Sequence, residues 1–191
     1  MIVWMVSILV ICQDDAVRDW VKVTSDNAQA SVSMPGEPVA SSRVMSPVPG
    51  QSIEVHVFAF QDDRETNFVF GFHDQVDAPA DNREINRILD GGMRGAVART
   101  LGELESAEAV RIARYPGRRF TFSCVRGETA EEAQPMMCAG QLVLVEKRLY
   151  QLLYIARQDR FDAQEAEQFF KSFQLDAAPR RPNRGRQPVD D

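Results

Sequence analysis

The feature that most constrains this chain is a pair of apolar segments, residues 142–145 and 149–155, joined by the polar corner Glu146-Lys147-Arg148. Each segment is apolar on both sides, with Leu142 and Leu144 against Val143 and Val145 in the first, and Leu149, Leu153 and Ile155 against Tyr150, Leu152 and Tyr154 in the second. Because strand side chains alternate between the two faces of a sheet, this pattern indicates that both faces are covered. It predicts a central hairpin.

A short amphipathic helix is predicted directly after the hairpin. Asp162 is a suitable N-cap and Glu165 completes a capping-box pattern, which satisfies the free N–H groups of a first helical turn. Apolar residues then recur at helical spacing, at Ala163, Ala166, Phe169, Phe170 and Phe173, while Gln164, Glu167, Gln168 and Lys171 are left for water. This helix should lie on the sheet.

A second helix is predicted over residues 81–101, where apolar positions recur at intervals of three and four. Asp81 and Glu84 form its start signal and Gly102 its stop signal. Three glycines, Gly91, Gly92 and Gly95, lie inside it, and each costs about 1 kcal/mol relative to alanine. They predict a kink, a break after Asp90, or close packing on the sheet.

Short strands occupy most of the remaining chain. Before the 81–101 helix we predict strands at residues 20–24, 30–34, 43–45, 53–60 and 68–72, and after it two strands on either side of a turn at Tyr115-Pro116-Gly117. The order is several strands, a helix, four strands and a helix. It predicts an α+β fold, an α/β/α sandwich with a mainly antiparallel sheet and a helix on each face.

The two ends of the chain differ in composition from the middle. Residues 1–12 form an apolar run of signal-peptide length without a basic start, and residues 9–12 partly match a lipoprotein box in which Cys12 is lipidated, although Ile11 departs from it. An ordinary secretory leader and an apolar strand of the fold remain alternatives. We therefore divide the chain into a leader (1–16), one domain (17–175) and a disordered Pro/Arg-rich tail (176–191).

Four stretches resemble the Mog1/PsbP-like group, especially its uncharacterised bacterial members. They are residues 31–38 (SVSMPGEP), 115–120 (YPGRRF), 148–152 (RLYQL) and 169–173 (FFKSF), and together they extend over roughly residues 20 to 175. The resemblance implies an α/β/α sandwich around an antiparallel sheet, and a leader or lipoprotein signal is common in those bacterial proteins. Named relatives bind a small GTPase or a photosystem, but no binding motif of either maps onto this sequence.

Two cysteines, Cys124 and Cys138, lie on consecutive predicted strands and are symmetric about Glu131. In a hairpin centred there they lie directly opposite each other, within reach of a disulfide in an oxidising compartment. The alternative is a pair of small buried thiols.

The histidines, His56 and His73, lie on separate strands and match no compact metal-ligand spacing. A grouping of His73 and Asp74 with Asp62 and Asp63 at one sheet end is the alternative to solvated loop carboxylates. Arg118 and Arg119, beside the predicted turn, are candidates to hold an anion, with plain solvation as the alternative. We predict no metal and no cofactor.

Composition limits the classes of function. A net charge of −6 argues against a nucleic-acid-binding protein, and the sequence has no G-x-S-x-G elbow and no P-loop. We expect a non-catalytic accessory or protein-binding module, exported to the periplasm or anchored to the membrane through its N-terminus, with a partner in the cell envelope. One alternative is a small-molecule-binding protein or enzyme with a sheet-edge pocket, lined by Arg118, Arg119, His56 or His73. Another alternative is a cytoplasmic protein whose N-terminus has been misread.

Overall fold

The fold was obtained as a computed structural model that describes residues 19–25, 27–48, 51–75, 77–127 and 133–176. The predicted leader, including Cys12, and residues 177–191 of the predicted tail lie outside the described residues. The assignments of both ends therefore stay predictions.

The described chain contains ten strands and two α-helices. The elements before the first helix are β1 (Val21–Ser25), β2 (Ala30–Met34), β3 (Val39–Val48), β4 (Gln51–Gln61) and β5 (Asn67–Asp74). They are followed by α1 (Asn82–Arg99), β6 (Glu103–Ile112), β7 (Tyr115–Arg126), β8 (Gln134–Val145), β9 (Arg148–Arg157), a 3₁₀ turn (Gln158–Arg160), α2 (Ala163–Lys171) and β10 (Gln174–Leu175). The predicted order of elements is confirmed, although β3 is much longer than predicted.

The hairpin β8–β9 lies in the middle of a seven-stranded antiparallel sheet with the order β3-β4-β5-β9-β8-β7-β6. Its two faces enter two separate cores, as the alternation of apolar residues predicted. Leu142, Leu144 and Leu149 pack on one face with α1, whereas Val143, Tyr150 and Tyr154 pack on the other face with α2. The central position of the hairpin is therefore confirmed.

A second, three-stranded sheet covers part of the α2 face, and the sequence patterns did not predict it. Its order is β1-β2-β10, so β2 lies in the middle and pairs with β1 on one side and with β10, a two-residue strand that follows α2, on the other. Ala30, Val32 and Met34 of β2 are fully buried against the aromatic side chains of the main sheet. One face of the sandwich is thus covered by a helix and a small sheet together.

Helix α1 covers the opposite face over β7 and β8 and runs without a break through its three glycines. The predicted start signal is confirmed, since the Asp81 side chain accepts a hydrogen bond from the Glu84 N–H at 2.8 Å. The helix ends at Arg99, before the predicted end at residue 101, and the residue with a positive φ after it is Leu101 (50°) and not Gly102. Gly92 is the glycine that packs on the sheet, because a Cβ there would lie 3.1 Å from Leu142 and 3.3 Å from Leu149. The break after Asp90 is wrong, and close packing is the correct alternative.

The predicted turn at Tyr115-Pro116-Gly117 is also wrong. The chain reverses at Ala113 and Arg114, where Ala113 has a φ of 55°, and Pro116 and Gly117 are already paired in β7. Gly117 is required there because a Cβ would lie 2.5 Å from the Leu142 carbonyl oxygen of β8. The Pro-Gly pair therefore marks a close approach of two strands.

Candidate functional site

The four residues predicted to bind a ligand do not converge on one site. His56 and His73 line a polar pocket of about 690 Å³ at one end of the sheet, Arg118 lines a cleft of about 380 Å³ beside α1, and Arg119 lines a cleft of about 570 Å³ beside α2. Arg118 and Arg119 are separated because neighbours in a strand point to opposite faces of a sheet. The four candidates therefore lie in three separate concavities, and whether any of them binds a ligand stays a prediction.

The polar pocket, called here the sheet-end pocket, is built around Arg148 at the start of β9. The Arg148 guanidinium donates to both carboxylate oxygens of Asp74, at 2.7 and 3.2 Å, and to the backbone carbonyls of Asn27 and Ala28. The hydrogen bond from Arg148 holds the pKa of Asp74 below its usual value. Arg148 therefore ties the β1–β2 turn of the small sheet to the main sheet.

The two histidines in the sheet-end pocket are also held by neighbouring groups. The His56 ring stacks on Phe72 with centroids 4.7 Å apart, and the Arg148 guanidinium lies 5.2 Å from the same ring. His73 shares a hydrogen bond of 2.9 Å with Gln75, and burial lowers its pKa. The lowered pKa favours the neutral form of the His73 ring, and the other charged residues of the lining are two cations, Lys147 and Arg148, and two carboxylates, Glu54 and Asp74.

The alternative grouping of His73 and Asp74 with Asp62 and Asp63 is excluded by the topology. Asp62 and Asp63 precede β5, whereas His73 and Asp74 end it, and an eight-residue strand extends over about 25 Å. Within the described residues, no three His, Cys, Asp or Glu side chains are grouped so that they could hold a metal ion.

Arg118 and Arg119 are half-buried and paired, which contradicts the solvated turn arginines of the alternative interpretation. Arg118 donates to Asp90 at 2.8 Å and to Asn86 at 2.9 Å, so it fastens β7 to α1. Arg119 donates to Gln141 at 2.9 Å and to Glu167 at 2.7 Å, so it fastens the same strand to α2. Glu167, which was predicted to face water, therefore belongs to an ion pair.

The cleft beside α2, called here the edge cleft, separates that helix from the outer strands β6 and β7. Apolar side chains of α2 and the segment before it form one wall, and polar groups of the two strands form the other. The lining includes Phe161, Ala163, Ala166, Glu167 and Phe170 on the helix side, and Ser106, Glu108, Arg119 and Thr121 on the strand side.

Strand β6 forms this edge of the sheet and pairs with β7 alone. It has ten residues, of which the first seven are exposed, and a bulge at Glu105 shifts its register. Three of its side chains are carboxylates: Glu103, Glu105 and Glu108, called here the acidic edge. Among the described residues, no hydrogen bond or ion pair joins them to another side chain.

The acidic edge was missed at the level of sequence because the predicted strand began at residue 108. The alternation of charged and apolar residues in Glu103-Leu104-Glu105 is a strand signal that could have found it. The bulge then interrupts the alternation, which hides the first half of the strand.

Cys124 and Cys138 lie side by side on the α1 face, but in a different register from the one predicted. Cys138 is opposite Phe122 and Cys124 is opposite Met136, so the two cysteines are diagonal and not direct neighbours. Their Sγ atoms are 3.4 Å apart and both thiols are free. Burial raises the pKa of Cys138 above its usual value.

Comparison with solved structures identifies the fold. The solution structure of cyanobacterial PsbP (CyanoP) from Synechocystis sp. PCC 6803 is similar with a TM-score of 0.56 and 13% identity, over 87% of this chain and 98% of that chain. A crystal structure from Bacteroides thetaiotaomicron VPI-5482 has a TM-score of 0.49 and 15% identity, over 82% of this chain and 48% of that one. No protein-family model and no curated protein matches the sequence.

The first of these likenesses shows a PsbP-like α+β fold, and it confirms the fold that the four resembling stretches implied. At 13% sequence identity, this similarity supports a conclusion about the fold and about nothing else. No helix among the described residues is long and apolar enough to cross a membrane.

Proposed function

We propose that this chain is a non-catalytic, protein-binding accessory module that recognises an extended, basic segment of a partner protein along strand β6. The observation that carries the proposal is the acidic edge: three unpaired carboxylates on a ten-residue strand that pairs on one side only. In the sheet-end pocket and in the cleft beside α1, the arginines Arg148 and Arg118 are already paired within the chain.

An unpaired strand edge offers a row of backbone N–H and C=O groups to a second strand. Proteins usually protect such an edge with charged side chains, proline, a β-bulge or a covering loop, because exposed edges otherwise associate. The acidic edge has no proline and carries negative charge, so it repels a second copy of itself and attracts a basic strand. Addition of a partner strand is the recognition mode that fits this edge.

The edge cleft supplies a place for side chains of the added strand. Glu108 lies in the cleft opposite Arg119 in the strand register, but Arg119 donates to Glu167, which leaves the Glu108 carboxylate exposed. A lysine or arginine of the partner can reach Glu108 while its aliphatic stem lies against Ala163 and Phe170. The charged head of a long basic side chain fits the carboxylates at the rim, and its apolar stem fits the apolar floor of the cleft.

Peptide binding tests the proposal. The probe is a fluorescein-labelled peptide of about ten residues that alternates lysine and valine, and fluorescence anisotropy measures its affinity at low salt. We expect the triple variant E103K/E105K/E108K to bind roughly tenfold or more weakly than the native chain, because it replaces three attractive charges by repulsive ones. The matched control E37K/D77K/E146K changes the net charge equally at exposed positions elsewhere.

The comparison of the two triple variants decides the outcome. If the control binds as weakly as the edge variant, the peptide responds to overall charge and the proposal is wrong. A second control peptide, in which glutamate replaces lysine, should show no measurable binding. Strong binding of that peptide would also contradict the charge complementarity.

We also propose export of the protein, supported by the apolar residues 1–12. Mass spectrometry of the mature N-terminus tests it, because cleavage within residues 12–16, with or without a lipid on Cys12, is the expected result. An intact N-terminus in the cytoplasmic fraction would contradict export and would favour the alternative of a misread start.

A second candidate function is small-molecule binding in the same edge cleft. Its volume of about 570 Å³ lies in the range of ligand pockets, and the fully buried Gln141 beneath Arg119 has an amide nitrogen without a partner among the described residues. Thermal-shift screening with a metabolite library tests it. A ligand whose stabilising effect disappears in the Q141L variant would favour this candidate over the peptide site.

A further inference from the structure

The cysteine pair lines neither the sheet-end pocket nor the edge cleft, although Glu105 of the acidic edge is close enough to act electrostatically on Cys138. Cys138 is fully buried and Cys124 is half-buried, and their Sγ atoms face each other at 3.4 Å on the α1 side of β7 and β8. The protein therefore presents one accessible thiol with a second thiol directly behind it. An accessible cysteine beside a second, resolving cysteine is the arrangement that reversible thiol oxidation uses.

We propose that Cys124 and Cys138 form a reversible disulfide by exchange with the disulfide of a small thiol such as glutathione. This inference is independent of the proposed peptide site, because it depends on neither the acidic edge nor the edge cleft.

The geometry allows the bond after a small movement. A disulfide has an S–S distance of about 2.05 Å, so the two sulfur atoms must approach by about 1.4 Å. Diagonal neighbours in a sheet are farther apart at the backbone than the directly opposite residues that usually form cross-strand disulfides. Side-chain rotation together with a slight closing of β7 onto β8 therefore accompanies oxidation.

The chemistry takes two exchange steps. The Cys124 thiol loses its proton to water, and its sulfur attacks the oxidant disulfide, which forms a mixed disulfide and releases one thiol. Because burial raises the pKa of Cys138, this second exchange is the slower one: the Cys138 thiol loses its proton to water and attacks the Cys124 sulfur, which forms the internal disulfide and releases the second thiol as a thiolate that takes up a proton. The two cysteines have together lost two protons and two electrons, and the oxidant disulfide has become two thiols.

The position of the pair gives the bond a structural effect. Ser123, the residue before Cys124, is opposite Glu103, where the pairing of β6 with β7 begins. The disulfide therefore joins β7 to β8 at the end of the sheet from which β6 starts. It closes a loop between residues 14 apart in sequence, which restricts the unfolded chain.

Non-reducing peptide mapping of the full chain tests the proposal. The chain is incubated with an excess of oxidised or of reduced glutathione, free thiols are alkylated, and trypsin is added. Trypsin cuts after Arg119, Arg126 and Lys147, so the disulfide joins peptide 120–126 to peptide 127–147. We expect this linked pair after oxidation, and two alkylated peptides after reduction.

The midpoint of thermal unfolding provides a second measurement. Oxidation should raise the midpoint of the native chain by roughly 5 °C, because the bond closes a short loop. The C124S and C138A variants should show no such shift. C124S leaves the buried Cys138 in place, so it provides the test even if C138A folds poorly.

Three results would overturn the proposal. They are alkylation of both peptides throughout, linkage of Cys12 to either cysteine in place of the 124–138 link, and a mixed disulfide with glutathione that persists at Cys124.

Discussion

The sheet-end pocket and the edge cleft both contain an arginine and carboxylates, but they differ in whether those charged groups are paired with each other. In the sheet-end pocket, the Arg148 guanidinium donates hydrogen bonds to Asp74 and to the backbone of the β1–β2 turn. In the edge cleft, Arg119 pairs with Glu167, and Glu108 on the neighbouring strand is left exposed. Of the two, the larger and more polar concavity is the one whose charges are already used by the fold.

This difference teaches that the polarity of a concavity does not by itself indicate a binding site. Charged groups that satisfy one another stabilise the junction of two sheets, and a ligand would have to replace those contacts. Unpaired carboxylates on an open strand edge lose only water when a partner arrives. The predictions below separate these two roles by comparing stability with binding.

The largest expected effect is on stability, from Arg148→Met in the sheet-end pocket. The variant removes the hydrogen bonds to Asp74 and to the turn at Asn27, and we expect the free energy of unfolding to fall by about 3 kcal/mol. Urea unfolding measures it. Lys147→Ala is the matched control, because its ammonium lies 3.9 Å from Asp74 and is mostly exposed, and its effect should stay below about 0.5 kcal/mol.

Arg119→Met should have a smaller effect on stability and a distinctive effect on binding. It removes the hydrogen bonds to Gln141 and Glu167, which we expect to lower the free energy of unfolding by about 1 to 2 kcal/mol. It also leaves the Glu167 carboxylate unpaired by arginine, so the lysine-valine peptide should bind about threefold more tightly. Weaker binding by this variant would contradict the role assigned to the carboxylates.

The pH dependence of stability should reveal Asp74. Arg148 holds the pKa of Asp74 below its usual value in the folded state, so the carboxylate stabilises the fold above the unfolded pKa of about 4. This contribution is lost as the pH falls through the folded pKa. We expect D74N to be less stable than the native chain by about 1 kcal/mol at pH 7, after screening by solvent, and the two curves to converge in acid.

Chemical unfolding at a series of pH values measures that convergence. A difference between D74N and the native chain that stays constant from neutral to acidic pH would show that Asp74 does not act through its charge.

The smallest effect is expected from Glu108→Gln in the edge cleft. The substitution keeps the shape of the side chain and removes one exposed charge, so the free energy of unfolding should change by less than about 0.5 kcal/mol. Binding of the lysine-valine peptide should weaken by about threefold. Loss of stability without loss of binding would reverse the assignment of the two concavities.

Much of the fold could be predicted because local signals agreed with it. The doubly apolar hairpin gave its central position, and the cap residues Asp81 and Asp162 gave the starts of both helices. These signals are local, since capping and strand alternation depend on residues close in sequence.

What could not be predicted depends on contacts between distant segments. The pairing of β2 with β10 joins residues near both ends of the domain, and the role of Gly117 depends on a carbonyl of β8. The register of Cys124 and Cys138 depends on the loop between β7 and β8, whose geometry the count of residues does not fix. The separation of Arg118 from Arg119 was foreseeable from strand alternation, once the turn was placed at residues 113–114.

Hydrogen exchange of the backbone amides, with and without the lysine-valine peptide, tests the central claim most directly. Edge strands β3 and β6 are the two ends of the same sheet, so β3 is an internal control within one sample. We predict that the peptide slows exchange in Glu103–Ile112 and leaves Val39–Val48 and the sheet-end pocket unchanged. Protection confined to β3 or to the sheet-end pocket, or no protection at saturating peptide, would contradict recognition by β6.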